Sequence, residues 1–467
     1  MWFRKKIESN GNSWTKDSKR AFLRTAAVSG MSALGASSLG RAAQSSTLQS
    51  SGTLPGSEGD GIEVIDTFAN LLSGELKPKS NIVQTLGFQT VGDIGGGRYQ
   101  MSKTRIYEDS FKDSVGNWWT VIPDSRILNV RQFGAAGNGI NDDTNAIHRA
   151  MQRLRRSGSA VVYFPAGKYL VSEPLLHYDR EDDLGRIKIL GDGAELTQFV
   201  LDGEIENFLF RIQGDTSAYS ARHVRFVDFE NFGIRGNGAD RQNLFEITCA
   251  DRVNFRSVHA FDFVGVGIKG RQWWDSLCDV RFVRGGDDKK GREAAVIDLD
   301  LVFESNLSNS ACNNIIFSET TQIEAYRWMA MRWGRSTRRC RFLGKIHGWI
   351  GRPYTEPAVK LEGATQNVFL GCAVAHSIHA QKSLYDVLIT NTDYIPARNL
   401  FLASTFQTGI KMTGEVRYNV ITNCVFLNDT EPAVWLERGR GNIVKDNVFS
   451  KEGTEVYAER DSAVEPD

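Results

Sequence analysis

The sequence has 467 residues, more than one globular domain usually holds, so several domains or a repeat architecture are expected. Lysine plus arginine and aspartate plus glutamate both number 56, and a formal charge of zero argues against a protein held on nucleic acid by phosphate attraction. The 45 glycines against 10 prolines favour a turn-rich β protein.

The chain begins with a segment typical of export signals. Residues 1–43 combine a basic, polar start with a mild apolar run, which is too short and too rich in Gly, Ser and Ala to span a bilayer. Lys19-Arg20 stands where a twin-arginine signal has two arginines. We therefore predict export by the twin-arginine route, a secreted or cell-surface location, and no membrane span.

Two short regions follow the signal. Residues 44–60 form a Ser/Gly-rich linker. Residues 61–126 predict a small structural lead-in module with a short helix and several strands, in which Trp118-Trp119 is expected to anchor the module to the rest of the chain.

Leu128 to Ser172 is the most informative stretch of the sequence. An apolar strand, three glycines and the polar run Asn141-Asp-Asp143 precede apolar positions at helical spacing. Side-chain oxygens of this polar run suit the free N–H groups of a helix start, so Asp142 and Asp143 are interpreted as capping rather than catalytic residues. Two short strands complete the stretch.

Two motifs of this stretch resemble the start of a known family. FGAAGNGINDDTNAI (Phe133–Ile147) and VVYFPAGKYLVS (Val161–Ser172) resemble the pectate-lyase-like, rhamnogalacturonase/epimerase-like family, which includes tailspike depolymerases. The resemblance implies an all-β fold, a right-handed parallel β-helix over residues 127–458 with an N-terminal capping α-helix, followed by a tail at 459–467. It also implies a polysaccharide partner, and the lead-in module resembles the one that precedes tailspike β-helices.

Short apolar strands separated by polar turns recur after Arg186, and asparagine recurs just before or within them. Coils of roughly 20–35 residues are expected, because this is the usual period of solenoids. The asparagines are interpreted as a ladder of hydrogen-bonded turn residues, and they are Asn254, Asn314, Asn367, Asn399, Asn419 and Asn442.

The six cysteines fall among strand residues near the coil period, which favours free thiols facing the interior over disulfides. They are Cys249, Cys278, Cys312, Cys340, Cys372 and Cys424. The sequence has no CxxC pair and no HExxH segment, so neither a metal site nor a cofactor is predicted. A calcium ion at Asp287 and Asp288 is the alternative, against simple solvation of that charged loop.

Polysaccharide cleavage by hydrolysis needs two carboxylates, whereas β-elimination from a uronate needs a base and a cation. Asp298 and Asp300 are two apart in a predicted strand and should face the same side. Glu319 and Glu324 fall in the next coil. We predict that the catalytic residues lie among these four. Asp228 and Glu230 form an earlier pair of the same kind.

The neighbouring cationic and aromatic residues are predicted to bind the substrate. Trp328 and Trp333 offer faces for stacking on sugar rings, and Arg327, Lys345 and His347 would serve a lyase as base and clamp.

The sequence thus predicts a protein that binds, and as a glycoside hydrolase or polysaccharide lyase cleaves, a uronate-containing polysaccharide. One alternative is a tailspike-like depolymerase of a surface glycan, acting as a homotrimer. The other is a surface or adhesion β-helix without catalysis. No nucleic-acid partner is expected.

Overall fold

The computed structural model describes residues 61–123, 126–157, 160–179, 186–215, 223–301, 311–349, 354–375, 385–427, 432–450 and 456–458. The predicted export signal, linker and C-terminal tail lie outside these residues. Within them, the strands form one sheet of five strands and one of 30 strands. No helix in these ranges is long and apolar enough to cross a lipid bilayer.

The five-stranded sheet belongs to the lead-in module. Its elements are β1 (Glu63–Thr67), α1 (Phe68–Ser73), β2 (Ile82–Gly87), β3 (Arg98–Ser102), β4 (Phe111–Lys112) and β5 (Trp118–Ile122). The spatial order of the strands is β1-β2-β3-β5-β4. Phe68 packs on the ring of Tyr99 with centroids 3.7 Å apart, and both side chains are fully buried.

The tryptophan pair does not anchor this module as predicted. Trp119 is fully buried in the module's own core, and its indole N–H donates to Asp113 at 2.9 Å. The contact with the large sheet is made instead by the Tyr99 hydroxyl, which donates to the Gln132 carbonyl at 2.9 Å. An ion pair of 2.8 Å between Arg153 and Asp109 adds to it.

The large sheet begins with a cap that has the predicted elements: β6 (Ile127–Asn129), a 3-10 turn (Val130–Phe133), β7 (Asn138–Asp142) and α2 (Thr144–Ser157). Asp142 accepts the backbone N–H of Thr144 at 2.9 Å. The buried carboxylate of Asp143 accepts the N–H groups of Ala136 and Gly137 at 2.6 and 3.0 Å. The prediction that both aspartates are structural is therefore confirmed.

The remaining strands wind into coils with three faces, which we call sheets A, B and C in the order in which the chain visits them. Three long strands pass through more than one face: β14 (Val224–Arg235), β15 (Phe245–Phe261) and β16 (Ile268–Val283). All strand pairs in the three faces are parallel. The predicted parallel β-helix is thus confirmed.

Sheet A contains the first parts of β15 and β16 together with β10 (Leu176–Asp179), β13 (Phe210–Gln213), β17 (Ala295–Asp300), β20 (Met329–Trp333), β23 (Val359–Glu362), β26 (Val387–Thr390), β29 (Ile410–Arg417), β32 (Val434–Arg440) and β35 (Val456–Ala458). Sheet B contains β6, the first part of β14, the middle parts of β15 and β16, and β8 (Ala160–Phe164), β11 (Ile187–Gly191), β18 (Asn313–Phe317), β21 (Arg341–Phe342), β24 (Val368–Leu370), β27 (Leu400–Leu402), β30 (Val420–Thr422) and β33 (Ile443–Lys445). Sheet C contains β7, the last parts of β14, β15 and β16, and β9 (Gly167–Val171), β12 (Thr197–Leu201), β19 (Gln322–Glu324), β22 (Lys345–His347), β25 (Ala373–Ala375), β28 (Thr405–Phe406), β31 (Val425–Phe426) and β34 (Val448–Phe449).

Alternate residues of each strand face the interior, where like side chains stack from coil to coil. Phe406, Phe426 and Phe449 form one such stack, with centroid distances of 5.4 and 5.2 Å. All six cysteines are buried and unpaired, as predicted. Burial raises the pKa of Cys249 and of Cys312 to about 12, which keeps both thiols protonated.

Four of the six asparagines form the predicted ladder at the edge between sheets A and B. Each of Asn399, Asn419 and Asn442 accepts the backbone N–H and the side-chain amide of the preceding asparagine at 3.0 to 3.1 Å, beginning with Asn367. All four are buried. The prediction is wrong for the other two, whose amides donate to aspartates on the outer surface: Asn254 to Asp228 and Asn314 to Asp275.

Candidate active site

The outer face of sheet A carries Asp298 and Asp300, two of the four residues predicted to be catalytic. Asp298 and Asp300 lie on β17, in register with Lys269 and Arg271 of the preceding coil. The interior side chain between them is Leu299, which is fully buried. Both carboxylates therefore lie on the same side of the strand, as their two-residue spacing predicted.

Arg332 of the next coil holds both aspartates in an ion-pair network. Its guanidinium donates to Asp298 at 2.6 Å, to Asp300 at 2.9 Å and to Glu362 at 2.7 Å. Arg271 donates to Asp298 from the other side, also at 2.6 Å. Three carboxylates thus converge on one cation.

This network favours the ionised forms of Asp298 and Glu362. Burial acts to raise the pKa of Asp298, but Arg271 and Arg332 outweigh it, and the pKa of this carboxyl falls below its ordinary value. The pKa of Glu362 is also lowered, because Lys360 and Arg332 offset its burial. Such groups suit a base or a positioning role better than the role of proton donor.

A second group of predicted residues lies on sheet C. Glu324 on β19 is in register with His347 on β22, and it accepts Arg281 Nε at 3.3 Å. Lys345 and His347 are both exposed on β22. Although His347 is exposed, the surrounding protein removes part of the water around its imidazole and lowers its pKa; Glu324 opposes this shift and Lys345 adds to it. This face is separate from the one that carries Asp298.

The other predicted residues lie in turns or in the core. Glu319 is exposed in the turn between sheets B and C, and Arg327 and Trp328 are half-buried in the connection from sheet C to sheet A. The prediction that Trp333 stacks on a sugar is wrong. This side chain is fully buried, with its ring 5.1 Å from that of Phe369, because it follows the outward-facing Arg332 and so faces inward.

The earlier carboxylate pair, on β14, also shares one outer face, that of sheet B. Glu230 accepts Lys188 at 2.8 Å and is ion-paired with Arg256. Burial acts to raise the pKa of Glu230, and these two cations lower it. Asp228 accepts the Asn254 amide at 2.9 Å. This pair too is neutralised by its neighbours.

The charged loop that contains Asp287 and Asp288 was considered as a possible calcium site. In this loop Asp287 is buried, and its carboxylate lies 3.4 Å from the guanidinium of Arg292. Within the described ranges, no group of three or more His, Cys, Asp or Glu side chains is arranged to hold a metal ion. A calcium ion at Asp287 and Asp288 stays an untested prediction.

The edge where the chain passes from sheet A to sheet B brings together residues that the sequence did not single out. One row of backbone partners, one residue per coil, runs along this edge, and we call it the edge row. Its members are Arg225, Asp251, Trp274, Asn313, Arg338, Thr365, Ala397 and Arg417. Neighbouring strands lie about 4.8 Å apart, so these eight coils span roughly 33 Å.

A cleft of about 340 Å³ occupies the last part of the edge row. Its lining combines three arginines with polar and aromatic side chains: Arg338, Thr365, Gln366, Ile395, Ala397, Arg398, Arg417 and Tyr418. Arg398 and Tyr418 are exposed, and Arg417 donates to Glu415 at 2.7 Å. The burial of Arg338 and the neighbouring charge of Arg339 lower the pKa of Arg338. The cleft is therefore cationic.

The first part of the edge row has a different character. Trp274 is half-buried, its indole N–H donates to the Ala311 carbonyl at 2.9 Å, and its ring lies 4.2 Å from that of His223. Asp251 in the preceding coil is 9% exposed, and Arg225 lies 3.6 Å from one of its oxygens. The other oxygen, Oδ1, makes no hydrogen bond within the part of the chain that the structure describes.

Comparison with known proteins agrees with this architecture. Residues 127–257 match the model of the family described as rhamnogalacturonase A/epimerase, pectate lyase-like. A probable glucan endo-1,3-beta-glucosidase of Arthroderma benhamiae is 44% identical over 227 residues, which cover 40% of this chain and 23% of that protein. The chain spans less than a quarter of the length of the curated relatives it matches.

Two solved viral structures share the fold at low sequence identity. ORF18 of Geobacillus virus E2 superposes with a TM-score of 0.60 at 17% identity, covering 84% of this chain and 75% of that one. The gp42 tailspike of Acinetobacter phage vb_AbaP_AS12 gives 0.55 at 12% identity, covering 86% and 74%. The resemblance of this chain to the pectate lyase-like β-helix family, indicated first by Phe133–Ile147 and Val161–Ser172, is therefore confirmed.

Proposed function

We propose that this protein binds and cleaves an acidic polysaccharide that lies along the edge row. The observation that carries this proposal is the cationic cleft, which lies in line with Trp274 and Asp251 along one side of the solenoid. A linear array of sites with one spacing fits a linear polymer of similar units better than a compact ligand. The name of one relative, a probable glucan endo-1,3-beta-glucosidase, supports a glycan as that polymer.

The chemistry of the cleft selects an acidic glycan. Guanidinium groups bind carboxylates through paired, charge-assisted hydrogen bonds, and three of them line this cleft. The exposed ring of Tyr418 adds an apolar face beside them. A uronate satisfies both, because it carries a carboxylate on a ring whose C–H groups pack against an aromatic side chain.

In this proposal the sheet A network supports the site beside the edge row. Asp298 and Asp300 hold Arg332 and Arg271 on the outer face, so they act as positioning residues. Glu324, Lys345 and His347 lie on sheet C and take no part. Secretion through the N-terminal segment would bring the protein to a surface or extracellular glycan.

The test is incubation of the full-length protein with a panel of acidic and neutral polysaccharides. Ultraviolet absorbance reports unsaturated uronates, and a parallel assay reports new reducing ends. We expect cleavage of acidic glycans only, with reducing ends alone for a hydrolase and both signals for a lyase. Cleavage of neutral glycans would contradict the assignment of the cleft, and binding without any product would identify a non-catalytic surface protein.

A further inference from the structure

We propose that Asp251 is the proton donor of the cleavage reaction and that Trp274 is the platform on which the adjoining sugar ring stacks. This inference rests on the proposed polysaccharide cleavage and assigns it to hydrolysis. It names two residues in neighbouring coils of the edge row, neither of which belongs to the carboxylate pairs that the sequence pattern favoured.

Asp251 differs from the ion-paired carboxylates of the outer faces in its contacts. Its side chain is buried, yet Oδ1 makes no hydrogen bond to any described residue, and Arg225 lies 3.6 Å from the other oxygen, beyond hydrogen-bonding distance. By contrast, Asp298 has two guanidinium donors at 2.6 Å. A buried carboxyl oxygen without a partner is costly in a folded protein, and such a group needs a reason.

The electrostatic surroundings of Asp251 favour its protonated form. Burial raises the pKa of this carboxyl, and the nearby carboxylate of Asp275 raises it further. Arg252 and Arg225 oppose the shift but do not cancel it. His223, whose ring lies 4.2 Å from that of Trp274, stays neutral at pH 7, because burial and Arg225 lower its pKa to about 4. A carboxyl that holds its proton is what a general acid requires.

Trp274 stands next to this acid in the following coil. The hydrogen bond from its indole N–H to Ala311 and the contact with His223 fix the orientation of the ring. The ring is half-buried, so one part of it stays open to a ligand. An oriented indole beside a proton donor can hold a sugar ring so that its glycosidic oxygen faces the acid.

The reaction balances as a hydrolysis. Asp251 gives its proton to the glycosidic oxygen while the bond from that oxygen to the anomeric carbon breaks, and the bonding electrons stay on the oxygen. One water molecule adds to the anomeric carbon and loses a proton to Asp275, the exposed carboxylate one coil further on. Solvent then restores both protonation states, so one water is consumed for each bond cleaved.

The decisive variant is Asp251→Asn in the full-length protein, assayed on the acidic glycan that the wild type cleaves. We expect the rate of cleavage to fall by roughly 10²- to 10⁴-fold, the usual contribution of general acid catalysis. Binding of the glycan should be unchanged. The matched control is Asp228→Asn, an outward-facing aspartate in the preceding coil that should keep the wild-type rate.

A pH profile of the wild type gives a second, independent readout. The rate should fall as the pH rises through the raised pKa of Asp251 and this carboxyl loses its proton, while glycan binding persists. Full activity of Asp251→Asn, or a pH profile that lacks this descending limb, would overturn the inference. Unsaturated products would also overturn it while leaving polysaccharide cleavage intact, and a wild type that binds no glycan would overturn the proposed function itself.

Trp274→Phe and Trp274→Ala test the platform separately. The phenylalanine variant keeps an aromatic face and should raise KM by a few-fold, whereas the alanine variant should raise it by tenfold or more. Equal KM values for the wild type and both variants would remove Trp274 from the site.

Discussion

The outer face of sheet A and the edge row lie side by side on the same coils, yet they differ in how far their charged side chains are paired with one another. On sheet A, Arg332 meets three carboxylates within 2.9 Å. On the edge row, among the residues that the structure describes, Asp251 has an oxygen without a hydrogen bond, and the exposed Arg398 lines the cleft with Arg338 and Arg417. Charges that satisfy one another stabilise the fold, whereas an exposed cation in a cleft or a buried oxygen without a partner is where we expect a ligand to bind.

The largest effect on stability should come from removing the cation at the centre of the sheet A network. Arg332→Ala would leave three partly buried carboxylates facing one another, and we expect a loss of about 3 kcal/mol in the free energy of unfolding at pH 7. Urea denaturation would measure it, with the exposed Arg341→Ala as control. A loss no larger than that of the control would show that the network contributes nothing.

The same variant has a pH signature. The pKa values of Asp298 and Glu362 are lower in the folded state than in the unfolded state. Their ionised forms therefore stabilise the fold at a pH above the unfolded-state pKa values, and this stabilisation is lost as the pH falls through the folded-state pKa values. The stabilities of the wild type and Arg332→Ala should therefore converge in acid. A constant difference between pH 7 and pH 3 would contradict an electrostatic origin.

The variant Asp298→Asn tests whether Asp298 positions its neighbours or takes part in catalysis. It keeps the shape of the side chain but removes one charge between Arg271 and Arg332, which we expect to cost about 1–2 kcal/mol of stability. In our proposal KM for the glycan rises while kcat changes less than tenfold. A fall in kcat of several hundredfold would instead make Asp298 the catalytic carboxylate that its position in the sequence suggested.

For a residue of the cleft we expect a large effect on glycan binding and little effect on stability. Arg398 is exposed and lines the site, so Arg398→Ala should weaken binding of an acidic glycan about tenfold, equivalent to about 1.4 kcal/mol, with little change in stability. Titration calorimetry at two salt concentrations would measure the loss and its screening. Unchanged affinity, or an equal loss for Arg341→Ala, would exclude the cleft as the binding site.

The smallest expected effect is a change in the free energy of unfolding of the variant Asp251→Asn, and its sign tests whether the pKa of Asp251 is raised. The folded-state pKa of Asp251 is raised, so ionisation at neutral pH opposes folding, and the neutral amide should stabilise the protein by up to about 1 kcal/mol at pH 7. That gain should vanish below the unfolded-state pKa, where the wild-type carboxyl is itself neutral. Thermal unfolding at both pH values would measure it, and a loss of stability at pH 7 would mean that Asp251 has a favourable partner.

Local sequence chemistry was sufficient for the cap and for the polarity of single strands, while the class of fold followed from the resemblance of Phe133–Ile147 and Val161–Ser172 to a known family. Asp142 precedes an amphipathic run, and a helix start needs its oxygen whatever surrounds it. The carboxylate of Asp143 instead accepts the N–H groups of the preceding turn, at Ala136 and Gly137. The same-side placement of Asp298 and Asp300 follows from the two-residue period of any strand. The inward orientation of Trp333 was decided only by the assembled coils. Alternation along a strand does not by itself say which of the two sets of alternate residues faces the interior.

The edge row is the clearest product of tertiary structure. Successive members are separated by as few as 20 residues, between Ala397 and Arg417, and by as many as 39, between Trp274 and Asn313. Loops of unequal length hide this alignment from any fixed sequence period. The sequence by itself therefore determined which residues cap, alternate and pack, since these depend on near neighbours. The register of parallel coils alone decided that Asp251, Trp274 and the three arginines of the cleft share one edge.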